Sequence, residues 1–189
     1  MTRAPQPLLN FYARPVADAA AVDLVHGKIT GVLEEYAIQE ITAPAREDKS
    51  KFGVGTYGFY LKDADGNWWR IEENNGPFGP MEIPPDAEPR NSLVPAGPVS
   101  YVTLECKNLE ASLRFYREFL GIDAERRGPG YFWSRGNGGV NVIVVEVGAR
   151  VMEQTVLNHH GITLWTDEAM IDKIHASAEE GKTEFGIRK

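Results

Sequence analysis

The chain has 189 residues, 42% of them hydrophobic and 25% charged, enough for one or two small domains with a proper core. A formal net charge of -7 argues against nucleic acid as a default partner, because phosphate binding needs clustered Lys and Arg. No apolar run reaches spanning length, the first residues lack a signal-like apolar stretch, and the single Cys106 makes no internal disulfide. The expectation is a cytoplasmic protein without a membrane partner.

Residues 8–75 form a first unit. Leu8 to Tyr12 is a short apolar run that reads as a strand. Asp18 is placed to cap a helix carrying Val22, Val25, Ile29, Val32, Leu33 and Tyr36 at helical spacing. Ile38 to Thr42 reads as a strand and Pro44 to Gly55 as a loop. Thr56 to Lys62 and Trp68 to Glu73 flank Asp63-Ala-Asp-Gly-Asn67, and Asp-Gly between two β-rich runs signals a hairpin. The order is β-α-β-β-β.

Residues 76–98 hold seven of the twelve prolines and read as an extended linker, since proline fixes φ and removes a donor. A second unit, residues 99–149, begins with a strand from Val99 to Cys106. Asn108 caps a helix with Leu109, Leu113, Tyr116 and Leu120 on one stripe, and Gly121 stops it. Tyr131 to Ser134 and Val140 to Val147 are strands around a Gly-rich turn at Gly136 to Gly139. Residues 150–189 add a strand at Leu157 to Trp165, a helix from Asp167 to about Glu180, and the start of a further strand.

That last stretch repeats the first. Leu9-Asn10 matches Leu157-Asn158, Asp18 matches Asp167, and Glu35-Tyr-Ala-Ile-Gln39 matches Glu184-Phe-Gly-Ile-Arg188, at offsets of 148 and then 149. The repeat stops at Lys189, the equivalent of Glu40, so residues 150–189 read as an incomplete third module. Either a longer chain or a second copy completes it, or it packs on the first two units.

Phe59-Tyr-Leu-Lys-Asp-Ala-Asp-Gly-Asn-Trp-Trp-Arg-Ile-Glu72 resembles the closing hairpin of the vicinal oxygen chelate superfamily, which includes glyoxalase I, bleomycin-resistance proteins and type I extradiol dioxygenases. Val99 to Tyr116 resembles that family's opening strand and helix, and Leu157 to Trp165 the strand that opens its second half. The resemblance implies an α+β fold of tandem βαβββ modules, with curved mixed sheets and flanking helices. It also implies a divalent metal, Fe(II), Mn, Zn or Ni, held by His or Gln and Glu from the first and last strands of modules.

Carried over residue by residue, the resemblance implies His160 and Glu146 as metal ligands, with His159 turned to the opposite face. Tyr101 stands where an opening-strand His is common and is the candidate catalytic residue. Tyr12 stands at the equivalent place in the first unit, and Arg70 where the closing hairpin supplies its Glu. Both are candidate substrate contacts, Arg70 through bidentate binding of an anion. Glu72 shares Arg70's face two residues on.

Three functions follow from this. One is a metal-dependent dioxygenase or glyoxalase-type lyase acting on a small oxygen chelator such as a catechol. The second is a metal-free small-molecule binder of the bleomycin-resistance type, which Tyr12, Arg70 and Tyr101 at ligand positions favour. The third is an incomplete chain without activity of its own. Each implies a homodimer, because unfinished modules leave strand edges open.

Overall fold

Asp18 caps the first helix as its place before an apolar stripe requires, its carboxylate accepting the Ala21 N–H at 2.8 Å. In the computed structural model, which describes residues 10–48, 55–82, 93–94, 98–135, 140–150 and 168–184, this helix belongs to the first of two modules. The first module runs β1 (Phe11–Val16), α1 (Ala19–Thr30), β2 (Glu40–Ile41), β3 (Ala45–Arg46), β4 (Tyr57–Lys62) and β5 (Trp68–Glu73). The second runs β6 (Tyr101–Cys106), α2 (Leu109–Arg114), β7 (Ala124–Gly128), β8 (Tyr131–Ser134) and β9 (Asn141–Glu146). A last helix, α3, covers Glu168–Gly181.

Among the described residues the strands form one mixed sheet in the order β2-β4-β5-β1-β6-β9-β8-β7, with β3 also paired to β4. In each module the opening strand lies parallel to the closing strand, β1 to β5 and β6 to β9. A parallel pair needs a crossover, and α1 and α2 start those crossovers. The modules meet where β1 pairs antiparallel with β6, Tyr12 opposite Val102 and Ala13 opposite Tyr101. This is the α+β arrangement of paired βαβββ modules that the resemblance implies.

That register sorts the side chains, because directly opposed residues share a face. Val22, Val25 and Ile29 of α1 pack with Val16, Phe59, Leu61 and Ile71. Leu109 and Leu113 of α2 pack with Cys106, Phe132 and Val144. Both helices therefore cover the face that carries Tyr12 and Val102. The opposite, helix-free face carries Phe11, Ala13, Trp68, Tyr101, Ile143 and Val145 as a third buried cluster spanning both modules. Each buried Val, Leu, Ile or Phe of these clusters contributes on the order of 1.5–3 kcal/mol by leaving water.

Four elements differ from the sequence reading, the first being α1, which ends at Thr30, so that Val32, Leu33 and Tyr36 lie in the turns beyond it. Of the strand read at Leu8 to Tyr12, residues 8 and 9 lie outside the described residues, and β1 is Phe11–Val16, running on through Pro15. Phe11 donates its N–H toward β6, to Thr103 Oγ1 at 3.0 Å, and Pro15 has the same parity but lies past the start of β6, so its missing donor costs no bond. The stretch read as a loop contains β3, and β7 arises from the charged run Ala-Glu-Arg-Arg-Gly at the sheet edge. No helix of the described residues is long and apolar enough to cross a membrane.

Candidate functional site: a buried ion pair at the module junction

Alternation along β5 sends Ile71 toward α1 and both Arg70 and Glu72 to the helix-free face. There the two side chains meet, Arg70 Nε donating to Glu72 Oε2 at 2.8 Å, with both side chains 1% exposed. Arg70 also donates through Nη2 to the Thr56 carbonyl at 3.0 Å and to Thr56 Oγ1 at 3.2 Å. Its Nη1 reaches Glu47 Oε1 at 3.3 Å, and its Cζ lies 4.7 Å from the centre of the Tyr60 ring. All three guanidinium nitrogens are thus engaged inside the protein.

Glu72 Oε2 collects two further donors, the Thr56 hydroxyl at 2.6 Å and the Tyr101 hydroxyl at 3.0 Å. Tyr101 belongs to the second module and is completely buried, so its hydrogen bond ties the two modules through the carboxylate. On the other side of β5 the strands approach closely. A Cβ at Gly58, opposite Glu72, would come within 2.4 Å of the Ile71 carbonyl oxygen. Glu72 Oε1 is buried and has no hydrogen-bond partner, and a Cβ at Gly76 would lie 3.2 Å from it.

The electrostatics follow from this packing. Burial pushes the Glu72 carboxyl above its ordinary value, although the Arg70 charge and the hydroxyls of Thr56 and Tyr101 pull the other way. Burial works against the Arg70 charge, but Tyr60, Glu72 and Tyr101 more than offset it and hold its pKa above the usual arginine value. The Tyr101 phenol is raised well above the ordinary value, first by burial and then by the Glu72 charge. At neutral pH Tyr101 is therefore a hydrogen-bond donor and not a base.

Above this network lies a half-buried aromatic rim. Asn74 and Met81 exchange two hydrogen bonds of 2.8 Å, side-chain amide to backbone, and close a loop that carries Phe78. The Phe78 ring centre is 6.0 Å from that of Tyr101 and 5.1 Å from that of Trp133. Two exposed guanidinium groups flank these rings, Arg127 4.9 Å over Trp133 and Arg135 5.9 Å from Phe78. The start of the Pro-rich stretch is thus part of the site.

Of the residues singled out by sequence, Arg70 and Tyr101 come together here through Glu72. Tyr12 lies on the helix-covered face, its ring 5.0 Å from Trp69, and Ala13 is the residue opposite Tyr101. The longer first strand accounts for that frame. Glu146 is exposed at the end of β9 on the helix-covered side, where its Oε1 accepts the Leu109 N–H at 3.3 Å at the start of α2. His159 and His160 lie outside the described residues. Sequence reasoning passed over Thr56, Glu47 and Phe78. Only Phe78, a lone aromatic between Pro77 and Pro80, offered a signal.

The metal implied by the resemblance does not fit this junction. Glu72 and Glu47 both accept from Arg70, so a divalent ion placed between them would face a fixed guanidinium charge. Among the described residues no group of three His, Cys, Asp or Glu could hold a metal ion.

Neither a protein-family model nor a curated protein matches the sequence. Among solved structures the chain is similar to a glyoxalase I variant from Zea mays, at 16% identity and a TM-score of 0.48, covering 94% of this chain and 54% of that one. It is similar to a Mn(II)-bound glyoxalase from Novosphingobium aromaticivorans at 17% identity and a TM-score of 0.30, covering 76% and 44%. It is also similar to a halotolerant catechol dioxygenase at 16% identity and a TM-score of 0.27, covering 72% and 46%. The chain thus spans about half the length of these structures. Identity this low assigns no activity, and the fold assignment above rests on strand order and register.

Proposed function

We propose that this chain is a metal-independent binding module for a small, flat, negatively charged aromatic molecule. The observation that carries the reading is the Arg70–Glu72 pair, closed by Tyr101 at the junction where a ligand-holding metal is otherwise expected. The junction's own cation is spent on its own carboxylates, so Arg70 is a scaffold for the site and not a contact for an anion.

The rim is the part that can receive a ligand. Phe78 and Trp133 supply stacking surface, and positive charge comes from Arg135 and from Arg127, which a ligand carboxylate would share with Glu125, 2.7 Å from Arg127 Nη2 at the exposed edge. A flat ring stacks on the indole, and an attached carboxylate or phenolate pairs with the guanidinium groups. Tyr101 and the buried pair fix the floor under these rings. No bond-making step is part of this function.

Titration of benzoate, salicylate and catechol against Trp fluorescence tests the reading. Saturable quenching is expected for the two carboxylates, with weaker binding of neutral catechol. Replacing Arg127 and Arg135 together by Ala should weaken carboxylate binding by about tenfold, roughly 1.4 kcal/mol. Absence of saturable binding by all three compounds would contradict it.

A further inference from the structure

The helix α3 carries side chains with no counterpart in the function above. At the offset of 149 set by Asp18 and Asp167, Val22-Asp23-Leu24-Val25-His26 of α1 corresponds to Ile171-Asp172-Lys173-Ile174-His175 of α3. The structure shows what these positions do in the first copy. Val22 and Val25 are 0% and 1% exposed against Phe59, Leu61 and Ile71 of β4 and β5. Asp23 accepts the Tyr57 hydroxyl at 2.8 Å. The His26 ring packs edge-on against Phe59 at 5.0 Å, with Nε2 3.1 Å from the Thr42 carbonyl oxygen.

The second copy keeps this set and exposes it. Ile171 and Ile174 are 49% and 43% exposed, and Asp172 and His175 also face solvent. Drift toward a plain surface helix would have made the sheet-facing positions polar. The reverse is seen: the outward Leu24 becomes Lys173, while Val22 and Val25 become the larger Ile171 and Ile174. Apolarity is retained on the one side that in α1 meets a sheet.

We infer that the Ile171, Asp172, Ile174 and His175 face of α3 is a docking surface for a partner β-hairpin of the β4–β5 type. The matching strand surface is apolar, offers an aromatic ring to His175 and a hydroxyl to Asp172, as Phe59 and Tyr57 do for α1. The β4–β5 face of a second copy does not serve, because α1 already fills it. This surface is independent of the rim and of its ligand.

The test appends a second copy of residues 41–75 directly after Lys189, the equivalent of Glu40, and reads hydrogen exchange of the α3 amides. Exchange at least about tenfold slower than in the unextended chain is expected, and Ile171→Asp with Ile174→Asp should abolish the slowing. Both positions are exposed, so the double variant leaves the two modules folded. Unchanged α3 exchange in the extended chain would overturn the inference. So would concentration-dependent self-association of the unextended chain that the double variant removes, which would make a second copy the occupant.

Discussion

The Tyr101 hydroxyl of the second module donates to the Glu72 carboxylate of the first at 3.0 Å, and the same oxygen, Oε2, accepts from Arg70 Nε at 2.8 Å. One buried carboxylate oxygen therefore joins an ion pair within β5 to the strand that opens the other module. The pair neutralises charge that burial would otherwise make costly, and the phenol adds a donor across the seam.

Breaking this pair from one side should cost more than removing it. Arg70→Ala leaves Glu72 as an uncompensated buried charge, at an expected cost of about 3–5 kcal/mol in urea unfolding, and Glu72→Ala should cost less because Arg70 keeps Glu47 at 3.3 Å. Arg70→Met combined with Glu72→Leu removes both charges and should cost much less than the sum of the single changes. Additive losses would show that the two side chains are not coupled.

Tyr101→Phe keeps the ring between Phe11 and Phe78 and removes only the hydroxyl. The expected loss is about 1–3 kcal/mol, that of a hydrogen bond to a buried charged group. In a double-mutant cycle this loss should largely vanish on the Glu72→Leu background. A full loss on that background would place the effect in packing.

Asp63 organises the turn between β4 and β5. Its carboxylate accepts the N–H of Asp65 at 3.0 Å, that of Asn67 at 2.9 Å and the Trp69 indole N–H at 3.0 Å. Partial burial alone would raise its pKa, but the bonds from Trp69 and Asn67 outweigh that and lower it. With a folded value below the unfolded one, the stabilisation is full above the ordinary aspartate value and fades as pH falls through the lowered one. Asp63→Asn should flatten that acid limb in a stability–pH profile, and an unchanged limb would refute the assignment.

Glu146 acts on α2. Its position beside the Leu109 N–H favours negative charge at a helix start. Glu146→Gln should lower thermal stability slightly while leaving metal content and rim binding unchanged. A change in metal content would show that Glu146 is a ligand after all.

Much of the fold is legible in the residues. The Asp18 and Asn108 caps, the Asp-Gly hairpin and the apolar stripes of α1 and α2 each have a local cause. The site is less so. The apolar run ends at Tyr12, but β1 continues through Arg14 and Pro15, because its pairing with β5 and the start of β6 sets its extent, a relationship between distant segments. Ala13, not Tyr12, is therefore the residue opposite Tyr101. β7 escapes because an edge strand needs little apolar content. Arg70 and Glu72 are legible as neighbours on one face. That they bond each other depends on Thr56, Tyr60, Glu47 and Tyr101 closing around them, which no local pattern encodes.

Calorimetric titration of salicylate into chelator-treated protein, with metal measured by plasma mass spectrometry on the same sample, decides whether binding at the rim needs a metal. Saturable binding by metal-free protein is expected, unchanged when Fe(II), Mn, Zn or Ni is restored and unchanged in His160→Ala. Binding that requires one of these metals and disappears in His160→Ala would contradict it, and would place a metal centre on the third module.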